Sequence, residues 1–365
     1  MHGSRSHYDY TVAWISALPL EMAAARQMFD KFHDRLPQPL TDTNTYTLGN
    51  ICGHNVVLAC LPSGVYGTTS AATVVAQMRS TFPRLQYGLL VGIGGGAPSE
   101  KVDIRLGDVV VIQYDYGKTV AGGRFEQSGM LNRPPEILLT PMSKLQAELH
   151  CHENPIANPL LERSEANGGI GFGFPYPGHS HDLLFESTYA HVGSDDTCQN
   201  CDALHLVPRK ARASDEPKIH YGLIASANQV MKDGPTRDML TRNLDILCFE
   251  MEAAGLMNHL PSIVIRGICD YSDSHKHKDW QPYAALTAAA YGRLLLSVVP
   301  VPYSGKNDQF LTMEEKECLE KLFLTDPGDD LNALKRRKGG RGRVNGFWNH
   351  RKSGDGLEGK SSCRA

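Results

Sequence analysis

The sequence predicts an α/β fold with three layers, in which a mostly parallel, mixed central sheet carries helices on both faces. Apolar runs of strand length alternate with helical segments along the chain, and each run is apolar over its whole length. A chain of 365 residues can bury one large core of this kind. Ligands of such sheets bind beyond the carboxyl ends of the strands, so the loops that follow the strands are the first place to look for a site.

The first part of the chain repeats a strand, a loop and a helix. A β-rich run at 10–15 precedes a loop at 16–21, and the segment after this loop has helical spacing. The same pattern follows with a second apolar run, a glycine-containing loop and an amphipathic segment. The predicted elements are a strand at 10–15, a helix at 22–32, a strand at 55–61, a helix at 68–82, a strand at 87–91 with a glycine loop at 92–96, and a strand at 108–114.

Periodicity weakens over 117–217, where Pro, Gly, His and Asn accumulate, so this stretch is predicted to form long insertions or a lid. Regular structure returns afterwards, and one domain is predicted over 10–302, after a flexible N-terminus at 1–9. Residues 303–365 are predicted to contain a short helix at 312–323 and a disordered basic tail. The later core elements are a strand at 219–225, a helix at 236–244, an apolar run at 248–256, a strand at 262–268 and a helix at 282–298.

Charge and composition favour a small-molecule ligand. The 37 Lys and Arg residues against 40 Asp and Glu give a net charge of −3, which does not attract nucleic acid or an anionic membrane. The basic stretch at 335–343 is short, so a nucleic-acid role is the weaker alternative. No apolar run is long enough to span a membrane, and the start of the chain has no signal-peptide pattern. The nine scattered cysteines indicate free thiols, so a cytoplasmic location is predicted.

Three segments carry residues that are suited to chemistry. The glycines at 92–96 could let a ligand approach the backbone, although a structural turn explains them equally well. Glu250 and Glu252 lie in an apolar segment, so at least one of them should be paired or functional. Asp270 ends a predicted strand, where it could react with a ligand or cap the next helix.

Cys198 and Cys201 have the spacing of metal ligands, with His191 and His205 nearby. A single CxxC without a second pair is a poor zinc signal, so free thiols in a loop are the favoured interpretation. No metal is predicted for the active site.

Several motifs resemble the methylthioadenosine/adenosylhomocysteine nucleosidases of the purine nucleoside phosphorylase superfamily. The similarity covers about 10–301 and is patchy over 117–217. It implies the phosphorylase/hydrolase-like fold and cleavage of the bond between a purine base and a ribose. The motifs lie at 16–21, 63–67, 92–96, 250–254 and 266–270.

The resemblance also implies roles for individual residues. Asp270 would protonate or hydrogen-bond the purine N7, Glu252 would hold the ribose hydroxyls, and Glu21 would orient or deprotonate the attacking water. No cofactor is implied. Cys269 stands where the nucleosidases usually have Ser, which weakens a supporting hydrogen bond. The other substrate contacts implied or expected are Met251, Ile93, Gly94, Gly95, Val230, Ser63, Gly64 and Cys269.

Water is favoured over phosphate as the nucleophile. The corresponding loops offer Ile93, Tyr66 and Thr68 but no arginine, and the Glu21 carboxylate would repel phosphate. A phosphorylase is the first alternative. A sensor or interaction domain that binds a nucleoside without turnover is the second, and the presence of Glu21, Glu252 and Asp270 favours the enzyme over it.

The segments at 226–234, 248–255, 266–276, 311–319 and 325–330 resemble the nucleosidase-type N-terminal domain of fungal NOD-like receptors. That resemblance implies an immune or self/non-self effector domain, here as a truncated or stand-alone relative, and it makes ATP a candidate substrate. Members of the superfamily usually associate, so a homo-oligomer is expected. Arg209 and Arg212 could meet a substrate phosphate group or could be surface charges, and the second reading is favoured.

Overall fold

The computed structural model describes residues 5–111, 115–119, 125–130, 133–151, 173–193, 197–226, 228–276 and 278–301. Met1–Val301 forms one compact unit. The predicted helix at 312–323 and the basic tail lie outside the described residues. Among the residues described, no helix is both long and apolar enough to cross a membrane.

A sheet of 12 strands forms the middle of the described fold. The strands are β1 (Val12–Ser16), β2 (Lys31–Phe32), β3 (Tyr46–Ile51), β4 (His54–Cys60), β5 (Tyr87–Gly96), β6 (Val109–Val111), β7 (Asp115–Thr119), β8 (Phe125–Met130), β9 (Ile219–Tyr221), β10 (Leu223–Ser226), β11 (Ile246–Glu250) and β12 (Ser262–Asp270). The α-helices are α1 (Pro19–Gln27), α2 (Thr68–Thr81), α3 (Glu136–Cys151), α4 (Gly234–Leu244), α5 (Ala253–Leu256) and α6 (Gln281–Val298).

The centre of the sheet is parallel, in the order β4, β1, β5 and β12. Antiparallel pairs join β3 to β4, β6 to β12 and β11 to the end of β5. The sheet is therefore mixed and mostly parallel at its core, as the sequence predicts. Because the carboxyl ends of β1, β5 and β12 lie at the same edge, the segments that follow β1 and end β5 and β12 meet there.

The alternation along β1 shows how both faces are buried. Ala13 and Ile15 pack into one core cluster, which also contains residues of α2 and α5. Val12 and Trp14 point to the opposite cluster, which contains residues of α1, α3 and α6. Successive side chains of a strand point to opposite faces, so a strand apolar at every position is buried on both sides. This arrangement confirms the predicted three layers.

The glycines at 92–96 continue β5, so the predicted loop after this strand is wrong. Gly92 and Gly94 are paired with β12, and Gly95 and Gly96 are paired with β11. Local propensity disfavours glycine in strands, but here pairing on both sides and crowding by neighbouring side chains override it.

The first helix begins earlier than predicted, at Pro19, and ends at Gln27. Proline suits the first helical position because its φ angle is already helical and it lacks an N–H that would go unpaired. Glu21 therefore lies in the first turn of α1 and not in the preceding loop. Residues 31–32, which were predicted as helix, form β2.

Part of the predicted insertion belongs to the core. Helix α3 buries Leu138, Met142 and Leu145 in the same cluster as α1 and α6. Pro141 interrupts the helical pattern of this segment, so the sequence indicates the helix only weakly. At the start of the described chain, where a flexible segment was predicted, His7–Asp9 forms a 3₁₀ turn.

Candidate active site

A cleft lies at the carboxyl ends of β1, β5 and β12, where the sequence predicts a site. Most of the predicted site residues line it together. Ser63 and Gly64 do not, and Tyr66 from the same loop takes that place. The predicted residues that line the cleft are Glu21, Ile93, Gly94, Gly95, Val230, Met251, Glu252, Cys269 and Asp270.

Glu21 is held in one orientation by three backbone N–H groups. Its Oε2 accepts from Ala17 (2.6 Å) and Leu18 (2.9 Å), and its Oε1 accepts from Ile93 (2.8 Å). A carboxylate oxygen has two acceptor positions, so Oε1 keeps one for a further donor such as water. Burial raises the pKa of Glu21, against the opposing effect of Arg266 and the three hydrogen bonds. The arrangement suits a base that orients a water molecule.

Glu250 and Glu252 share one guanidinium. Arg266 on β12 is only 1% exposed, and its Nη2 lies 2.5 Å from Glu250 Oε2 and 3.3 Å from Glu252 Oε2. Glu250 also accepts the backbone N–H groups of Glu252 (2.9 Å) and Ala253 (3.0 Å). Glu250 is therefore the structural partner of Arg266, and Glu252 is the carboxylate left available to a ligand.

The surroundings of Glu252 bring its ionisation close to neutral pH. Burial, followed by the charges of Glu250 and Glu21, raises the pKa of Glu252 to about 7, and Arg266 opposes this shift. Above this pH, Glu252 is ionised and is a strong hydrogen-bond acceptor. Below it, the same group is neutral and accepts more weakly.

Asp270 ends β12 at the other side of the cleft. Its Oδ1 accepts the backbone N–H of Ser272 (2.8 Å), and its Oδ2 lies 3.0 Å from Lys276 Nζ. The next helix, α6, begins only at Gln281, so Asp270 does not cap it. Cys269 Sγ lies 3.5 Å from Asp270 Oδ2, so a weak thiol donor is next to this carboxylate.

Ser272 has two unusual features next to Asp270. Its φ angle of 56° is left-handed, which is uncommon for a residue other than glycine and indicates local strain. Ser272 lines the cleft, and its Oγ is buried and finds no hydrogen-bond partner among the residues described. A ligand hydroxyl or ring nitrogen is a suitable partner for it.

Two glycines of β5 make room for the two ends of the site. A Cβ at Gly92 would lie 2.3 Å from Glu21 Oε1 and 2.6 Å from Arg266 Nη1. A Cβ at Gly95 would lie 2.8 Å from Asp270 Oδ1. Three residues of strand separate these positions by about 10 Å. The Glu21 and Asp270 carboxylates thus flank different points along one strand.

Arg209 and Arg212 are neither surface charges nor part of the cleft. Arg212 binds Asp108 at 2.6 Å, with both side chains nearly fully buried. Arg209 lies 2.9 Å from Asp182 and donates to the hydroxyl of Tyr271 at 2.7 Å. Both arginines hold the 182–212 segment to the core, which is a third outcome that the sequence alternatives did not include.

Sequence reasoning missed the two cations of the cleft, Arg266 and Lys276, as well as Ser272. All three lie in the 266–276 segment that the family resemblance singled out. A basic residue inside an otherwise apolar strand is the signal that would have identified Arg266, because a buried charge requires a partner.

The chain belongs to the phosphorylase superfamily, whose family model matches residues 11–299. The fold and the position of the cleft agree with this assignment.

Three relatives place the chain more closely. It is 43% identical over 331 residues to a nucleotide-binding leucine-rich repeat (NLR)-like protein of Hyaloscypha variabilis, covering 84% of this chain and 32% of that protein. It is 25% identical over 308 residues to the 5'-methylthioadenosine/S-adenosylhomocysteine nucleosidase of Mycobacterium bovis, covering 80% of this chain and 97% of that enzyme. It is also 25% identical over 298 residues to ATP nucleosidase Cap17 of Escherichia coli, covering 76% of this chain and 49% of that protein.

The chain covers a different fraction of each relative. The chain spans almost the whole mycobacterial nucleosidase, about half of the E. coli protein and about a third of the NLR-like protein. The relatives support hydrolysis of N-glycosidic bonds in nucleosides as the general activity of this group.

Proposed function

We propose that the chain hydrolyses the N-glycosidic bond of a purine nucleoside or nucleotide, with adenine as the base. The observation that carries the proposal is the two-ended cleft. Among the described residues, Glu21 is fixed by three backbone donors with one acceptor position open, and it lies beside Gly92, whereas Asp270 lies beside Gly95, three residues further along β5. A base for water at one end and an acid for the leaving group at the other is what this hydrolysis requires.

In this mechanism the bond between C1′ and the purine nitrogen breaks, and its electron pair goes to the base. Asp270 protonates or hydrogen-bonds N7, which makes the base a better leaving group. Water loses a proton to Glu21 and its oxygen bonds to C1′. Glu252 accepts hydrogen bonds from the ribose hydroxyls, and these bonds strengthen as positive charge develops on the sugar. The products are free base and the ribose moiety.

The charges of the cleft support water as the nucleophile. Its carboxylates are Glu21, Glu250, Glu252 and Asp270, and the Lys and Arg side chains that line it among the described residues are Arg266 and Lys276. Both cations are already paired with carboxylates. A phosphate nucleophile would be repelled by the excess negative charge. A phosphorylase, with phosphate in place of water, is the alternative that needs a direct test.

Similarity to the ATP nucleosidase and to the NLR-like protein supports an adenine nucleotide as substrate and an effector role in immune or self/non-self recognition. Oligomer formation, which is usual in the superfamily, belongs to the same proposal and can be checked by light scattering.

The test is release of free base from adenosine, methylthioadenosine, inosine, guanosine and ATP in phosphate-free buffer, followed by chromatography. The wild type should release base, Asp270→Asn should lose about 10²- to 10⁴-fold in rate, and the exposed control Asp34→Asn should match the wild type. Release only after phosphate is added would identify a phosphorylase. No release in either buffer, together with nucleoside binding in equilibrium dialysis, would identify a binding domain.

A further inference from the structure

The Cys198 and Cys201 pair lies outside the cleft and forms a cluster with His191. A ring nitrogen of His191 and the two sulfur atoms all lie within 4.8 Å of one another. In a tetrahedral zinc site with Zn–S bonds of about 2.3 Å, the two sulfur atoms are about 3.8 Å apart. The three ligand atoms are therefore within small side-chain adjustments of a coordination geometry. The sequence favours free thiols here because a single CxxC, even with His191 and His205 nearby, lacks a second pair.

Hydrogen bonds to the backbone around the cluster orient these side chains. The N–H of Cys201 donates to the carbonyl of Cys198 (3.1 Å), which closes a tight turn between the two thiols. His191 Nε2 lies 2.8 Å from the carbonyl oxygen of Thr197. A carbonyl only accepts, so Nε2 carries the proton and the lone pair is on Nδ1. Metal-bound histidines commonly make this second contact, which fixes the ring for coordination.

His275 is an independent indication of a ligand. It is only 6% exposed, and neither of its ring nitrogens has a hydrogen-bond partner among the described residues. Asp273 Oδ1 lies 3.7 Å from His275 Nδ1, which is an ion-pair distance if the ring is protonated but is too long for a hydrogen bond. Leaving buried polar atoms unpaired is costly, and such an atom calls for an explanation.

His275 lies next to His191, outside the three ligand atoms that are within 4.8 Å of one another, so its side chain has to move to complete the set. Its ring centroid is 5.6 Å from that of His191, and it stacks on Phe185 at 4.2 Å. His205, the other histidine near the pair in sequence, is engaged elsewhere: its Nδ1 lies 3.0 Å from Glu186 Oε2 and its ring stacks on Tyr189.

We infer that His191, Cys198, Cys201 and His275 bind one Zn²⁺ ion in a structural site. Two thiolates balance the charge of the ion, and a Cys₂His₂ set is a common tetrahedral arrangement for structural zinc. All four positions are filled by the protein, so the ion holds structure and does not activate water. This inference is independent of the proposed function, because it concerns residues that do not line the cleft.

The site would join two parts of the chain that matter for the cleft. His191, Cys198 and Cys201 belong to the segment between α3 and β9, and His275 follows Asp270 by five residues. His191 already contacts this second part, because its N–H donates to Ser274 Oγ at 3.0 Å. A bound ion would hold the 270–276 turn, with Asp270 and Lys276, in its observed position.

The experiment measures zinc in the purified full chain by mass spectrometry of the metal after dialysis, and then substitutes Co²⁺ and records its absorption spectrum. We expect one zinc ion per chain and the intense visible bands of tetrahedral cobalt with thiolate ligands. Cys198→Ser and Cys201→Ser should lose the ion. Cys52→Ser, which changes another half-buried thiol remote from the cluster, should retain it.

Wild-type metal content does not depend on the folding of a variant, so it decides the main question by itself. Wild type without zinc or cobalt binding would overturn the inference, as would one equivalent of zinc in Cys198→Ser. A wild-type mass lower by two hydrogen atoms, with no metal, would show a disulfide pair instead. His275→Gln should lose the ion or the tetrahedral cobalt spectrum. If it keeps both, His275 is not the fourth ligand. None of these readouts uses base release, so the inference and the proposed function fail separately.

Discussion

The two ends of the cleft are built differently. At one end Glu21, Glu250 and Glu252 surround Arg266, all are buried, and backbone N–H groups fix two of the carboxylates. At the other end Asp270 is held by one backbone N–H and by Lys276, whose side chain is 25% exposed. One end is therefore preorganised and the other can adjust to a ligand.

The difference follows from what each end has to do in the proposed reaction. A water molecule must be oriented before the reaction, so its base benefits from fixed geometry. The leaving base must be admitted and released, so its acid lies on a turn beside a partly exposed lysine. The expected consequence is that variants at the fixed end affect every substrate alike, whereas variants at the adjustable end depend on the leaving group.

The largest expected effect is a loss of activity whose dependence on the leaving group differs between the two ends of the cleft. Glu21→Gln should lower kcat by about 10²- to 10⁴-fold for adenosine and equally for a nitrophenyl riboside, because both need an activated water. Asp270→Asn should lose a similar factor with adenosine but little with the nitrophenyl compound, whose leaving group needs no protonation. The measurement is steady-state kinetics on both substrates.

Glu136→Gln, at an exposed glutamate on α3, serves as the matched control and should match the wild type. Equal recovery of both variants on the nitrophenyl compound would contradict the division of roles between Glu21 and Asp270.

The next effect compares the two carboxylates that share Arg266. Glu250→Gln should lower the free energy of unfolding by about 3–5 kcal/mol, because it removes the 2.5 Å partner of a buried guanidinium. Glu252→Gln should lower activity but should not destabilise the fold. At pH 8 it should raise the free energy of unfolding, because the ionised Glu252 carboxylate is disfavoured by burial and its contact with Arg266 is long. Urea unfolding of both variants tests this, and equal destabilisation would show that Glu252 is also a structural partner.

Much of the fold could be predicted from the sequence, because β1, α2 and β12 are long, continuous patterns. Pairing with distant strands was harder to foresee. The glycines of β5 look like a loop locally, and they form strand because β11 and β12 pair with them and neighbouring side chains fill the space of a Cβ.

The site likewise contains residues that the sequence predicts and contacts that it does not. Asp270, Glu252 and Glu21 could be identified from motifs and from their place at strand ends. The pairing of Arg266 with Glu250 joins residues 16 positions apart in sequence, and the approach of His275 to His191 joins residues 84 positions apart. Such contacts depend on tertiary packing, which neither spacing nor composition encodes locally.

The pH dependence of activity and of the free energy of unfolding should reflect the ionisation of Glu252 at the fixed end of the cleft. Since the pKa of Glu252 is raised to about 7, activity should fall by about tenfold for each pH unit well below that value, as the carboxylate becomes neutral. The folded state binds the extra proton between the ordinary pKa and 7, so the free energy of unfolding should decrease as pH rises through this window.

Glu252→Gln should remove the contribution of Glu252 to this pH-dependent decrease in the free energy of unfolding. Activity and urea unfolding measured from pH 5 to 8 test both statements, and a flat activity profile between pH 8 and 6 would contradict the assignment of Glu252 as an ionised acceptor.

The smallest effect is expected at the adjustable end, from Lys276→Met. The Lys276 and Asp270 pair is partly exposed, and pairs of this kind contribute about 0–1 kcal/mol to stability. Lys276 contacts Asp270 Oδ2, the oxygen that a purine base would approach. Removing Lys276 therefore makes Asp270 more accessible to the base, but it also removes the cation that holds the Asp270 side chain in place. These two effects on activity oppose each other. We expect kcat/KM to change by less than about tenfold, or 1.4 kcal/mol. Lys101→Met, which breaks the more exposed pair with Asp245, is the matched control. Loss of activity as large as in Asp270→Asn would instead make Lys276 a proton carrier, and the adjustable end would then consist of a lysine and an aspartate acting together.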